Sequence, residues 1–255
     1  MVFEDRMPSP VDCQWHYCLD PLQRVKLQEV LELIEQRKTF VIHAPRQTGK
    51  TSSLKVLQEF LNTRGQYKCL YVNMEVAQAA REKVPLAMQS ILYEMAQREK
   101  SHLGEDFFEK NYREILAAAG PFNALNGGLS AWTLQSTKPT VLLVDEIDAL
   151  VGDTLISVLR QLRSGYDRRP KDFPQSVILC GVRDVRDYRI FSAKNQEIIT
   201  GGSGFNIKSE SLRLGDFTRT DIRELYAQHT QQKGKFSRKA CSRWCGNTPR
   251  ASPGW

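Results

Sequence analysis

Residues 40–52, FVIHAPRQTGKTS, constrain this chain more than any other stretch. Four mostly apolar residues, Phe40, Val41, Ile42 and His43, run into Ala44, Pro45, Arg46, Gln47, Thr48, Gly49, Lys50, Thr51 and Ser52. The spacing is that of a phosphate loop, with Ala44 where glycine often stands, four intervening residues, and then Gly-Lys-Thr. Such a loop needs a strand before it and a helix after it, because backbone N–H groups and the positive end of a helix must converge on one anion. Gly49 lets the backbone close on a phosphate, Lys50 reaches the terminal phosphates of a nucleotide, and Thr51 offers a hydroxyl to Mg²⁺. Ala44 fits the turn as long as its φ is negative. Ala44 to Ser52 is therefore the candidate nucleotide-binding segment.

A second stretch gives the first its meaning. In Thr140–Leu150, TVLLVDEIDAL, an apolar run ends in Asp145-Glu146. An apolar run followed by Asp-Glu is common, but roughly 90 residues after a phosphate loop it has the arrangement of a Walker B strand. A strand buried on both faces then delivers Asp145 to the Mg²⁺ shell beside Thr51, and Glu146 stands where it can polarise a water attacking a γ-phosphate. The expected cofactors are ATP and Mg²⁺, with Glu146 and Lys50 as catalytic candidates and Thr51 and Asp145 as metal ligands. Asp148 reads as the cap of the following helix, in preference to a supporting partner of the site.

The remaining elements fall around these two. Leu22, Val25, Leu27, Val30, Leu31, Leu33 and Ile34 predict an amphipathic helix near 20–37. Its first residues, Leu19–Arg24, either lie near an adenine or simply cover the sheet edge. Strands are expected at 39–43, 68–74, 140–145 and 176–182, with a short one at 205–207. Helices are expected after the phosphate loop and near 77–100, 105–119, 124–135, 153–166 and 219–230, the last capped by Asp216 or Thr218. Residues 188–204 read as a loop. Glu75, at the end of the second strand, could orient water or meet a partner, although a plain loop residue is the favoured reading. Arg160, Arg163, Arg168 and Arg169 cluster after the Walker B strand. One of them could act in trans on a neighbouring copy, although a solvated basic face is the commoner reading. Arg183, at the end of the 176–182 strand, is placed to sense a γ-phosphate or to pair with Asp184 or Asp187.

Length and composition admit one sizeable α/β domain. No run approaches a membrane span and the N-terminus is not a secretory signal, so a cytoplasmic protein without membrane association is expected. The net charge of +7 resides in residues 233–255, where Lys233, Lys235, Arg238, Lys239, Arg243 and Arg250 stand without one acid; the remainder carries only +1. A nucleic-acid partner is therefore not expected for the body of the chain. Cys69 and Cys180 sit in apolar runs as buried thiols. Cys13, Cys18, Cys241 and Cys245 lack the CxxC spacing of a zinc site.

HAPRQTGKTS, YVNMEVAQAARE, LVDEIDALVGDTLISVLRQLRSGY, VILCGVRDVRDYRI and ITGGSGFNIKSESLRLGDFT together resemble the prokaryotic AAA-like P-loop ATPases near the STAND and archaeal-ATPase branch of the ASCE division. The resemblance covers roughly residues 15–230. It implies an α/β fold with a parallel sheet of order 5-1-4-3-2 and helices on both faces. It also implies the Walker A pair at Lys50 and Thr51, the Walker B pair at Asp145 and Glu146, and a sensor-1 arginine at Arg183. The expected organisation is an arm over 1–18, the ATPase domain over 19–230, and a basic tail over 231–255. The resemblance stops near His229, where the family continues into a helical lid. One permitted codon assignment, read one base earlier, turns 242–255 into approximately QVVREYTQGQPWL, close to a segment the family carries. The expectation is thus a frameshifted or truncated gene with a non-native tail, which the nucleotide sequence decides. A MgATP-hydrolysing switch is the leading functional expectation. The alternatives are a DNA-associated AAA+-type ATPase, a nucleoside or small-molecule kinase, and a degenerate ATP-binding protein without turnover.

Overall fold

Strands covered on both faces need apolar side chains at every position rather than at alternate ones. The runs in this chain meet that demand at the centre of one parallel sheet. The computed structural model describes residues 19–182, 190–192, 197–199 and 210–233. Its strands are β1 (Thr39–His43), β2 (Lys68–Asn73), β3 (Thr140–Asp145), β4 (Ser176–Gly181), β5 (Ile190–Ser192), β6 (Glu197–Ile199) and β7 (Glu210–Arg213). The five-stranded sheet runs β2-β3-β4-β1-β7, all parallel, and β5 and β6 pair antiparallel with each other. Counting sheet strands alone, β7 is the fifth, so the order is the expected 5-1-4-3-2.

One reading of this region is corrected: the stretch read as a loop over 188–204 includes the β5–β6 pair. The short strand expected at 205–207 lies outside the described residues, and the fifth sheet strand is β7. In β7 only Leu212 is buried, so an edge strand with polar neighbours leaves no apolar run to read.

Side chains along the strands alternate between two cores. Val41, Leu70, Val72, Leu142, Val144, Val177 and Leu179 pack under α3 (Val84–Leu103), α4 (Phe107–Ala119), α5 (Ala124–Gln135) and α6 (Gly152–Ser164). Phe40, Ile42, Cys69, Tyr71, Val141, Leu143, Ile178 and Cys180 pack under α1 (Leu27–Glu35) and α2 (Lys50–Arg64). The period-2 alternation thus assigns each strand residue to a core, and it places Tyr71, Asp145 and Cys180 on the α2 side. The edge strand β2 is tied to α2 through Asn62, whose amide donates to the Cys69 carbonyl (3.0 Å) and accepts the Cys69 N–H (2.8 Å). The helix expected from 77 begins only at Val84. Before it, Met74–Ala80 form a 3-10 stretch, and Arg81 has a positive φ (49°).

Residues 21–214 form one unit, and the described residues 215–233 belong to a second. The second contains α7 (Arg219–Lys233). Thr218 caps it, as one of the two expected residues: its hydroxyl accepts the Asp221 N–H (3.1 Å) and the Asp221 carboxylate accepts the Thr218 N–H (2.6 Å). Among the described residues no helix is long and apolar enough to cross a membrane.

Helices α4 and α5 carry no side-chain cap of their own, and buried polar groups on neighbouring helices serve them instead. Gln161 of α6 accepts the Leu125 N–H (2.9 Å), and fully buried Glu99 of α3 accepts the Phe108 N–H (2.8 Å). Burial raises the Glu99 pKa above its ordinary value, so ionisation works against the fold as pH rises through it. We expect Glu99→Ala, which orphans the Phe108 N–H, to cost about 1–3 kcal/mol by chemical denaturation. Glu99→Gln, which keeps an acceptor and removes the charge, is expected to be tolerated.

Candidate functional site

The phosphate-loop segment leaves β1 at the C-terminal edge of the sheet. The Ala44 N–H donates to the Gly181 carbonyl of β4 (3.3 Å), which holds the first loop residue against the sheet, and its φ is not positive. This is the condition under which alanine can replace glycine there. The loop then turns through two left-handed residues, Gln47 (φ 58°) and Gly49 (φ 85°), and α2 starts at Lys50. Three side chains organise its carbonyls. The Thr48 hydroxyl donates to the Pro45 carbonyl (2.7 Å), as does the Lys50 ammonium (3.1 Å), and the Arg24 guanidinium donates to the Thr48 carbonyl. Lys50 is only 5% exposed, whereas Pro45, Arg46, Gln47 and Gly49 stand open to solvent. Backbone N–H groups at a helix start, a lysine and an open rim are the components of an anion cradle. The 3-10 turn Pro21–Arg24 abuts this cradle, since Ser53 of α2 also donates to the Pro21 carbonyl (3.4 Å).

Strand β3 brings Asp145 to the same edge, fully buried. The Thr51 hydroxyl donates to its Oδ2 at 2.7 Å, across 94 residues of sequence. Tyr71 donates to the same oxygen (2.9 Å), and the Glu146 N–H donates to Oδ1 (2.9 Å). Thr51 and Asp145 offer a hydroxyl and a carboxylate at one point, an oxygen donor set suited to a hard cation such as Mg²⁺. Beyond Asp145 the backbone is left-handed at Glu146 (φ 51°, ψ 43°), a conformation that non-glycine residues adopt at a cost of order 1–3 kcal/mol, and one that gathers at functional sites. Burial raises the Glu146 pKa, the charges of Asp145, Asp148 and Glu75 add to the shift, and Lys50 opposes it. Burial likewise raises the Tyr71 phenol, with the Asp145 charge reinforcing it, and the Cys180 thiol beside Asp145.

The structure brings together Lys50, Thr51, Asp145 and Glu146, and it separates several other candidates from them. Arg183 lies outside the described residues, as do Cys13, Cys18, Cys241 and Cys245. Arg168 donates to Ser130 (2.8 Å) and Asn126 (2.6 Å). Arg169 is buried, with donations to the Arg37 carbonyl (3.1 Å) and the Thr39 hydroxyl (2.6 Å), and desolvation lowers its pKa to about 10. Thr39 opens β1, so Arg169 is held at the end of that strand away from the phosphate loop, and both arginines are structural links rather than groups able to reach a neighbouring copy. Arg160 remains exposed. Asp148 is not the helix cap: α6 follows Val151 without a side-chain cap, and Asp148 belongs to the preceding 3-10 turn. Glu75 is exposed, and the Asn73 side chain accepts its N–H (2.9 Å). Tyr71 and Arg24 were not singled out from the sequence. Tyr71 was reachable, because alternation puts it on the face shared by Asp145.

This fold and loop are those of a P-loop nucleotide-binding domain. The chain belongs to the AAA domain family, whose profile matches residues 33–188. No curated protein matches it. Among solved structures, it is similar to Cdc6p from Pyrobaculum aerophilum (TM-score 0.52, 15% identity, 88% of this chain and 52% of that one). It is also similar to the Walker-type ATPase paby2304 of Pyrococcus abyssi (TM-score 0.55, 15% identity, 89% and 62%). At such identities the likeness is one of fold. The chain spans between about half and just under two thirds of the length of these two proteins.

Gly49 adopts φ 85°, and a Cβ there would stand 3.4 Å from the Arg24 guanidinium. We expect Gly49→Ala to destabilise the fold by about 1–2 kcal/mol through the left-handed penalty, read by denaturant midpoint.

Proposed function

We propose that this chain binds ATP with Mg²⁺ and hydrolyses it to ADP and phosphate as a nucleotide-dependent switch, close in kind to the STAND-type ATPases. The observation that carries the proposal is the 2.7 Å contact between Thr51 and Asp145, with Glu146 next in the chain, beside a phosphate loop whose lysine is already turned inward. The Ala44–Ser52 segment would wrap the phosphates, with backbone N–H groups offered from Arg46 onward because Pro45 has none and the Ala44 N–H is spent on the Gly181 carbonyl, and Lys50 would move from the Pro45 carbonyl onto the terminal phosphates. Thr51 and Asp145 hold the cation, which when bound neutralises charge on the phosphate oxygens. Glu146 accepts the proton of the attacking water. A carboxylate at the end of this strand favours water over an alcohol acceptor, which sets the reading apart from a kinase. Arg183 is proposed to report the γ-phosphate, and Arg160, exposed as is Arg163 of the same cluster, is proposed to act between copies.

Nucleotide binding and phosphate release test the proposal together. Lys50→Ala is expected to abolish binding. Glu146→Gln is expected to keep binding and lose turnover by about 10²-fold or more, in line with loss of a general base. Normal hydrolysis by Glu146→Gln would reassign the water-activating group. Because Glu146 must be ionised to accept a proton and its pKa is raised, turnover should climb with pH through a midpoint above the ordinary glutamate value of about 4.3.

A second reading, DNA association, is favoured only by the six cations without an acid in residues 233–255. A salt-dependent DNA shift that survives deletion of those residues would support an interface on the ATPase body itself.

A further inference from the structure

We propose that Tyr71 is a positioning residue for the Mg²⁺ pair: its hydroxyl holds Asp145 in the one orientation from which Asp145 and Thr51 can serve the same cation. The proposal rests on the MgATP reading above and concerns how this chain builds that site.

The placement follows from register. Tyr71 of β2 pairs with Leu143 of β3, and Asp145 lies two residues further along on the same face. Diagonal neighbours of this kind have Cα atoms roughly 7–8 Å apart, a gap that the length of a tyrosine bridges and a shorter side chain does not. The phenol oxygen reaches Asp145 Oδ2 at 2.9 Å. Thr51 approaches the same oxygen at 2.7 Å, and the Glu146 N–H takes Oδ1. Thr51 and Glu146 already give both carboxylate oxygens a donor, so satisfying a buried acid does not require Tyr71. What the third bond adds is direction. Two hydroxyls from two different elements fix Oδ2 in space, and the carboxylate can no longer turn about its Cβ–Cγ bond, which is otherwise a soft torsion. The Thr51 hydroxyl, spending its hydrogen on that fixed oxygen, keeps its lone pairs turned outward for the cation.

Tyr71 is itself held. It is 1% exposed, with the Lys55 ammonium of α2 5.7 Å and the Arg98 guanidinium of α3 5.4 Å from its ring centroid. Arg98 is in turn anchored to Glu94 (2.6 Å). The ring thus has two cations at cation–π range, and its hydroxyl points at one oxygen. Partners that orient a metal ligand without touching the metal usually matter to affinity by about 10–100-fold.

The test is the Mg²⁺ dependence of binding of a fluorescent ATP analogue by the full chain, with no turnover in the readout. For Tyr71→Phe, which keeps the ring, the Mg²⁺ midpoint should rise about 10-fold, while affinity in EDTA changes less than about twofold. In a Thr51→Ala background the same change should add little, because two groups serving one site are not additive. Cys69→Ala, in the same strand and core, controls for destabilisation and should leave the midpoint unmoved. Should Tyr71→Phe fail to fold, Arg98→Ala loosens the ring and keeps the hydroxyl, and it should still raise the midpoint. An unmoved midpoint in the folded variant, or parallel loss of affinity in EDTA, overturns the assignment. Failure of the wild-type chain to bind the analogue overturns the MgATP reading instead.

Discussion

Asp145 is a carboxylate with no exposed surface at the end of a strand buried on both faces. A charge in such a place is tolerable only if it is fully engaged by donors, and the donors come from three separate parts of the chain. Thr51 brings the start of α2, Tyr71 brings the edge strand, and the Glu146 N–H brings the turn that follows. The parallel order of the sheet is what lets them meet, because β1, β2 and β3 all deliver their C-terminal ends to one side. Glu146, whose N–H bonds the Asp145 carboxylate, is also the residue at which the chain leaves the strand in a left-handed conformation.

The centre of this arrangement was legible because it is written in contiguous residues. FVIHAPRQTGKTS and TVLLVDEIDAL each encode a strand and the chemistry at its end, and their spacing implies adjacency in one sheet. The four apolar strands were legible for the same reason. What escaped was encoded in register and not in runs. Tyr71 lies within an ordinary apolar run, CLYVN, and acquires its partner only through its alignment with β3. Strand β7 has a single buried residue, so its pattern resembles a loop. Arg168 and Arg169 look like a surface cluster in one dimension, but they fold back onto buried acceptors. Asp148 has the composition of a cap, but the helix starts beyond its reach.

The two cores divide the work. The α3–α6 side is the larger, and its polar residues, Glu99 and Gln161, serve helix ends. The α1–α2 side is smaller, and the polar groups on the strand face beneath it, Tyr71 and Asp145, serve the site. A substitution at Glu99 or Gln161 therefore acts on stability, whereas one at Tyr71 or Asp145 acts on the geometry of the cation ligands.

The sheet's opposite margin has a consequence of its own. There, Arg169 bonds the Arg37 carbonyl and the Thr39 hydroxyl, Gln175 bonds the Ile34 carbonyl, and Ser176 bonds the Lys38 carbonyl. These short stitches fasten β1, β4 and the end of α1 into a stiff heel. At the other margin, the loop carbonyls are held by the ends of two long, flexible cations, Lys50 and Arg24. The margin away from the loop thus carries four side-chain bonds of its own, from Arg169, Gln175 and Ser176, so the register of β1 against β4 does not depend on the loop carbonyls that a bound phosphate would free.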